Sequence, residues 1–318
     1  MAVYTEVGFD DAAALLQRLG LPPLQGLRGI EAGIENTNYF VSTASSEWVL
    51  TLFERLLPAQ LPFYLELMQH LARRGICVPE PRADASGALL HQVCAKPAAV
   101  VTRLHGAHQE APSARHCEQL GHELARLHLA AQGFALRQPH LRGLAWCNET
   151  APVVLPHLNA GHAALLQGEL AFQNQLATTP AAAGLPQGII HADLFRDNVM
   201  FDGDRLSGMF DFFFAGVDAL LFDVAVCLND WCVDPASGHQ VDERAQALVA
   251  AYHGVRPLAA AEVRLMPALL RAAGLRFWLS RLWDWHLPRG AALLQPKDPG
   301  HFERVLHHRI EQPWYPNL

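Results

Sequence analysis

Apolar and β-branched residues come in two short runs between residues 38 and 54, "NYFVST" and "EWVLTLFE", parted by "ASS". Runs of this length bounded by small polar residues predict an antiparallel hairpin. After Pro58 the period changes. In "LPFYLELMQHLARRG", Leu61, Leu65, Met68 and Leu71 recur near helical spacing, and Gly75 follows a basic turn, so a helix is predicted there. "LLHQVCAKPAAVVTRLHG" returns to strand-like runs. From "SARHCEQLGHELARLHLAA" onward the helical period dominates, through "DERAQALVAAYHG" and "AEVRLMPALLRAAGLRFWLSRLWDWHL". Strand character gives way to Gly and polar residues between Leu104 and Ala107. The expectation is an α+β, bilobal chain: an N-terminal lobe, residues 1–104, made of an antiparallel sheet with one helix, and a mainly helical C-terminal lobe, residues 105–318.

Composition narrows the function. With 318 residues, 51% of them hydrophobic, the chain can bury a sizeable core. It has no apolar run long enough to span a bilayer, and acids stand near the N-terminus where a signal peptide would be basic, so a cytoplasmic protein without membrane contact is expected. The six cysteines, Cys77, Cys94, Cys117, Cys147, Cys227 and Cys232, form no C-x-x-C pair and read as reduced packing thiols. A net charge of −7 without a Lys/Arg run leaves no footprint for nucleic acid. An anionic ligand would need a local cationic site, a metal included. The 17 histidines show no H-x-x-x-H with a third ligand in context, which sets a zinc hydrolase aside.

One stretch interrupts the helical half: "GIIHADLFRDNVMFDGDRLSGMFDFFFAG", residues 188–216. Its Asp-Gly is a turn signal between two strand-like runs, and the resulting hairpin brings Asn198, before the first strand, close to Asp211, after the second. Asp193 lies on the loop leading in. An amide oxygen and a carboxylate at the open end of a hairpin are hard ligands suited to Mg²⁺, with water and phosphate completing the shell. A further carboxylate on the loop can orient an attacking hydroxyl or accept its proton. Together these are the requirements of phosphoryl transfer. The competing reading is structural: Asp193 and Asp197 cap a turn, while Asn198 and Asp211 satisfy strand ends. His191 belongs to the candidate catalytic loop, with the expected task of holding it by hydrogen bonds.

His191, Asp193 and Asn198 resemble the kinase pattern H-R-D-x-x-x-x-N with Ala192 in place of Arg, and Asp211-Phe212 resembles D-F-G with Phe213 in place of Gly. With "DALLFDVAVCLNDWC", "AGIENTNYFVST", "EWVLTLFE", "RRGICVPEP" and "LRFWLSRLWDWH", the chain resembles the aminoglycoside phosphotransferase/choline kinase superfamily, and within it the homoserine kinase branch, over most of its length. The resemblance implies a protein kinase-like fold, ATP and Mg²⁺ as cofactors, and phosphorylation of L-homoserine to O-phospho-L-homoserine in threonine biosynthesis. It implies Asp193 as catalytic base, Asn198 and Asp211 as Mg²⁺ ligands, and Asp223 as the acid that braces the catalytic loop.

The pattern also departs from the kinases. Neither G-x-x-x-x-G-K-[ST] nor G-x-G-x-x-G is present, so the phosphate cover falls to "GIENTNY", with Gly33, Asn36 and Asn38. Thr51 stands near the place of the strand lysine, which leaves another cation such as Arg55, or the metal, to offset phosphate charge. Glu66 occupies the place of the helix glutamate, and Thr102 to Leu104 that of the adenine connector. For the acceptor, an amino-acid alcohol calls for Arg and acid together, and Arg196, Asp230, Trp231, Arg276, Arg281 and Asp284 are the candidates. Another amino alcohol, choline in an aromatic cage, or an aminoglycoside remains open as acceptor. So does a catalytically silent nucleotide-binding protein, on the ground of the absent lysine.

Overall fold

The computed structural model describes residues 4–31, 36–287 and 297–318. Gly33 lies outside the described residues. The chain divides into two compact units, the first running to His105 and including Gly208–Phe210, the second beginning at Gly106.

The first unit is a five-stranded antiparallel sheet in the order β1-β2-β3-β5-β4, formed by β1 (Leu24–Gly29), β2 (Asn36–Thr43), β3 (Glu47–Phe53), β4 (His91–Val93) and β5 (Lys96–Thr102). It carries two helices, α1 (Phe9–Arg18) and α2 (Leu61–Ala72), where the sequence reading expected one. The extra helix follows from Ala12, Leu15, Leu16 and Leu19, an apolar stripe that packs on Leu50, Leu52, Ala98 and Val100. Strand alternation then sorts the other side chains. Glu54 and Lys96 share the α1 side of the sheet and pair at 2.9 Å. Thr51, paired in register with Asn38, lies on the opposite face and donates to Asn38 Oδ1 at 2.7 Å.

The second unit contains α3 (Ala114–Ala130), α4 (Leu144–Val154), α5 (Ala160–Ala177), the short α6 (Pro180–Ala183), α7 (Leu220–Trp231), α8 (Asp242–Val255), α9 (Ala260–His286) and α10 (Gly300–Glu311). β6 (Gln187–Ile190) pairs antiparallel with β9 (Gly216–Ala219), and β7 (Val199–Asp202) with β8 (Arg205–Met209) forms the hairpin expected around Gly203. Every residue of α7 is buried. Its polar members, Asp223, Asn229 and Asp230, must therefore find partners inside the protein. α3 and α8 cross closely at Gly121, where an added Cβ would lie 2.0 Å from the Leu248 carbonyl oxygen.

Candidate active site

β6 delivers the chain into a tight loop. Its last residues, Ile189 and Ile190, are buried, and the paired β9 holds the strand from one side. The next two backbone N–H groups turn onto one carboxylate: His191 N donates to Asp223 Oδ2 at 2.7 Å and Ala192 N to Oδ1 at 2.8 Å. Ala192 has φ +65°, a left-handed conformation that costs an L-residue about 1–2 kcal/mol. Two charge-assisted bonds to Asp223 offset that cost. His128 Nε2 lies 3.1 Å from the same carboxylate. Burial alone would raise the Asp223 carboxyl, but the His128 hydrogen bond, the electrostatic pull of the His128 and His191 rings and the His191 N–H outweigh it, so the carboxyl sits below its ordinary range.

The loop then presents Asp193. Its N–H donates to His191 Nδ1 at 3.3 Å, and the fully buried His191 ring lies 4.5 Å from the Phe212 ring, tilted by 56°. Asn198 closes the loop by donating Nδ2 to the Asp193 carbonyl at 2.7 Å and to its Oδ2 at 3.2 Å. Asp211, at φ +66° and ψ +59°, stands at the head of the short turn Phe212–Phe214. Burial pushes the Asp193 carboxyl up to about 8; Arg276 works against this, while Asp211 and Asp197 add to it. Such crowding of negative charge favours a cation. Both side-chain hydrogen bonds of Asn198 use the amide nitrogen; its hard oxygen and the Asp211 carboxylate are the donor types a divalent ion would take. Among the described residues no group of three His, Cys, Asp or Glu is arranged around a metal position. Mg²⁺ needs none, since one or two protein oxygens plus water and phosphate suffice.

Each of the acceptor candidates meets partners of its own once folded. Arg196 and Asp230 meet each other: Arg196 N and Nε donate to Asp230 Oδ2 at 2.8 and 3.1 Å, and Nη1 donates to the Glu110 carbonyl at 2.7 Å. The pair cross-braces the loop to α7. Trp231 follows Asp230 on α7. It is fully buried, donates its indole N–H to the Leu194 carbonyl at 3.0 Å and supports the loop from beneath. Arg281 donates to the Asp298 carbonyl at 3.1 Å with its guanidinium 4.4 Å over Phe302, and Asp284 is half-buried farther along α9. Arg276 is buried on α9, 3.8 Å over Phe277 and 5.3 Å from the Phe214 centroid.

Arg142 was not singled out from the sequence. It lies 6.0 Å from the same Phe214 ring and 4.7 Å over Trp146, ahead of α4. Both guanidiniums also act on the buried Cys147 thiol, which burial pushes up to about 12 against their pull. No local motif announces Arg142; "LRGLAW" reads as an ordinary helix start.

In the first unit Asn36 is buried, and its Oδ1 has no hydrogen-bond partner among the described residues. Thr102 exchanges backbone and side-chain bonds with Glu80, at 3.0 and 2.8 Å, and Leu104 packs over Gly208. Glu66 is exposed on α2, and Arg55 is exposed after β3.

Residues 26–258 match the phosphotransferase enzyme family. The chain is 59% identical to a homoserine kinase of Polaromonas naphthalenivorans over 314 residues, 99% of each chain. It is 54% identical to a homoserine kinase of Janthinobacterium over 312 residues, 98% of this chain and 97% of that one. Among solved structures it resembles amicoumacin kinase in complex with AMP-PNP, Ca²⁺ and amicoumacin, with a TM-score of 0.70 at 17% identity over 95% of this chain and 92% of that one. It also resembles the choline kinase of Streptococcus pneumoniae, with a TM-score of 0.66 at 12% identity over 94% and 98%. At these identities the two structures speak for the fold, and the close relatives for the branch. The chain belongs to the phosphotransferase enzyme family, in its homoserine kinase branch.

Proposed function

We propose that the chain transfers the γ-phosphoryl group of ATP to the side-chain hydroxyl of L-homoserine. The observation that carries this reading is Asn198 bonded to Asp193, with Asp211 acting on the same carboxyl, in a chain related end to end to homoserine kinases. Asp193 orients the hydroxyl for in-line attack and takes its proton as the oxygen–phosphorus bond forms. Asn198 keeps the Asp193 carboxylate aimed through its amide nitrogen. Its amide oxygen and Asp211 would hold Mg²⁺, which would supply neutralisation of phosphate charge there. Arg276 pulls the Asp193 carboxyl downward against its burial, toward the ionised form a base needs. Asn36, Asn38, Thr51, Thr102 and Leu104 are the nucleotide-side residues of this reading, with Glu66 set apart by its exposure.

An amino-acid alcohol presents a carboxylate as well as a hydroxyl. Arg142 and Arg276 converge on Phe214, and a guanidinium pair at an aromatic floor suits that carboxylate. Choline would have no use for either. The test is ADP release by the purified protein with Mg-ATP and L-homoserine, L-serine, L-threonine, choline or kanamycin. L-homoserine should be preferred, and Arg142→Met should raise its KM about tenfold with kcat kept, which corresponds to about 1.4 kcal/mol of lost binding. Preference for choline or kanamycin would remove the acceptor assignment. Absence of any acceptor-dependent release would remove the kinase.

A further inference from the structure

We infer that Tyr252, backed by Arg256, holds His128 neutral with its proton on Nε2, so that Asp223 grips the catalytic loop as a full anion. Tyr252 is a positioning residue, one side chain removed from the loop's anchor.

The argument is one of proton direction. His128 Nε2 faces Asp223 Oδ2 at 3.1 Å, and His128 Nδ1 faces the Tyr252 hydroxyl at 2.7 Å. An ionised carboxylate only accepts, so Nε2 must carry a hydrogen. In a neutral ring Nδ1 is then a lone pair, and Tyr252 donates to it. Arg256 Nη1 donates to the Tyr252 oxygen at 3.2 Å and to Glu262 Oε1 at 2.9 Å. Arginine has no acceptor, so the polarity of the chain is set at this end. Protons run from Arg256 to Tyr252, from Tyr252 to His128, and from His128 to Asp223, where the His191 and Ala192 N–H groups also converge.

The reverse arrangements fail. An imidazolium would donate to Tyr252 as well; the phenol oxygen would then accept from both His128 and Arg256, and no acceptor for its own proton occurs among the described residues. A buried donor without a partner bears its full desolvation cost. A neutral ring protonated on Nδ1 would instead set a lone pair against the carboxylate.

The surroundings keep this chain rigid. His128, Tyr252, Asp223 and Glu262 are all buried. Glu262 is held a second time, accepting the Ala259 N–H at 2.9 Å at the start of α9. Gly121 allows the close α3–α8 approach that brings His128 and Tyr252 together.

The test is the spectrum of protein labelled with nitrogen-15 histidine, which separates protonated from lone-pair ring nitrogens, together with steady-state kinetics. Wild type should show His128 with Nε2 protonated and Nδ1 an accepting lone pair. Tyr252→Phe, which keeps the ring, should move the Nδ1 resonance and lower kcat about tenfold, the worth of one hydrogen bond, with KM values unchanged. Arg256→Met should produce a smaller change of the same sign, and it decides the matter if the Phe variant does not fold. A wild-type spectrum with Nδ1 protonated, or a folded Tyr252→Phe protein with wild-type kcat and an unmoved Nδ1, would overturn the inference. The kinetic readout rests on the proposed kinase activity, whereas the spectrum needs no substrate. A protein inactive with every acceptor therefore counts against the kinase reading and leaves the spectrum to judge this one.

Discussion

Asp193, on the loop after β6, and Asp223, which anchors that loop, are two carboxylates with opposite surroundings. Asp223 sits in α7 and meets two backbone N–H groups and His128, and these bonds bring it below the ordinary carboxylate range. Among the described residues Asp193 has one side-chain donor, Asn198 at 3.2 Å; burial pushes it up to about 8, and Asp211 and Asp197 add to that. The anchor is saturated with donors because it must not move. Asp193 is left short of them, which is the condition under which a carboxylate can exchange a proton with a substrate and attract a neighbouring cation.

The largest consequence is for turnover. Asp193→Asn should lower kcat by about 10³-fold, the scale of a lost general base, with a melting temperature at pH 7 no lower than wild type. An active variant would show that the donor-poor carboxylate is idle. Asp223→Asn should also lose activity, but together with about 2–3 kcal/mol of stability, the worth of a hydrogen bond to a buried charge. Denaturant unfolding of the two variants separates the roles.

The two carboxylates also predict opposite slopes of stability with pH. Asp223 is below its ordinary value of 3.8 in the folded state, so its contribution is complete above that pH and is lost as pH falls through the lower folded value. Asp193 is above its ordinary value, so between 3.8 and about 8 the folded state binds the extra proton and stability falls as pH rises. Unfolding measured across this range should show the acid-side loss weakened in Asp223→Asn and the neutral-side decline absent in Asp193→Asn.

Smaller effects test the frame around the anchor. Gly121→Ala drives a Cβ toward the Leu248 carbonyl and should cost about 1–3 kcal/mol while reducing kcat, because α3 and α8 carry His128 and Tyr252. Unchanged kinetics in a destabilised Gly121→Ala protein would detach the helix crossing from the loop. The smallest effect belongs to Lys96→Met. Its pair with Glu54 is partly exposed and worth about 0–1 kcal/mol, and it lies across the sheet from Thr51, so the KM for ATP should not change. A large rise in that KM would make Lys96 the cation that stands in for the strand lysine.

Local pattern was enough for the elements that depend on neighbours in the chain. The hairpin at Gly203 follows from Asp-Gly between apolar runs, and the order of His191, Asp193, Asn198 and Asp211 from spacing alone. The α1 stripe of Ala12, Leu15, Leu16 and Leu19 is equally regular along the chain. What spacing could not supply is pairing between distant segments. Arg196 and Asp230 both carried the right chemistry for a substrate, yet across 34 residues they neutralise each other. Trp231 belonged to the right motif and turned inward, because the buried Leu194 carbonyl needed a donor. His128 and Tyr252 stand 124 residues apart and meet only where Gly121 lets two helices touch. The sequence by itself determined which groups could do chemistry; which of them face a substrate and which are consumed as one another's partners was set by packing, since a buried polar group takes whatever partner the fold brings to it.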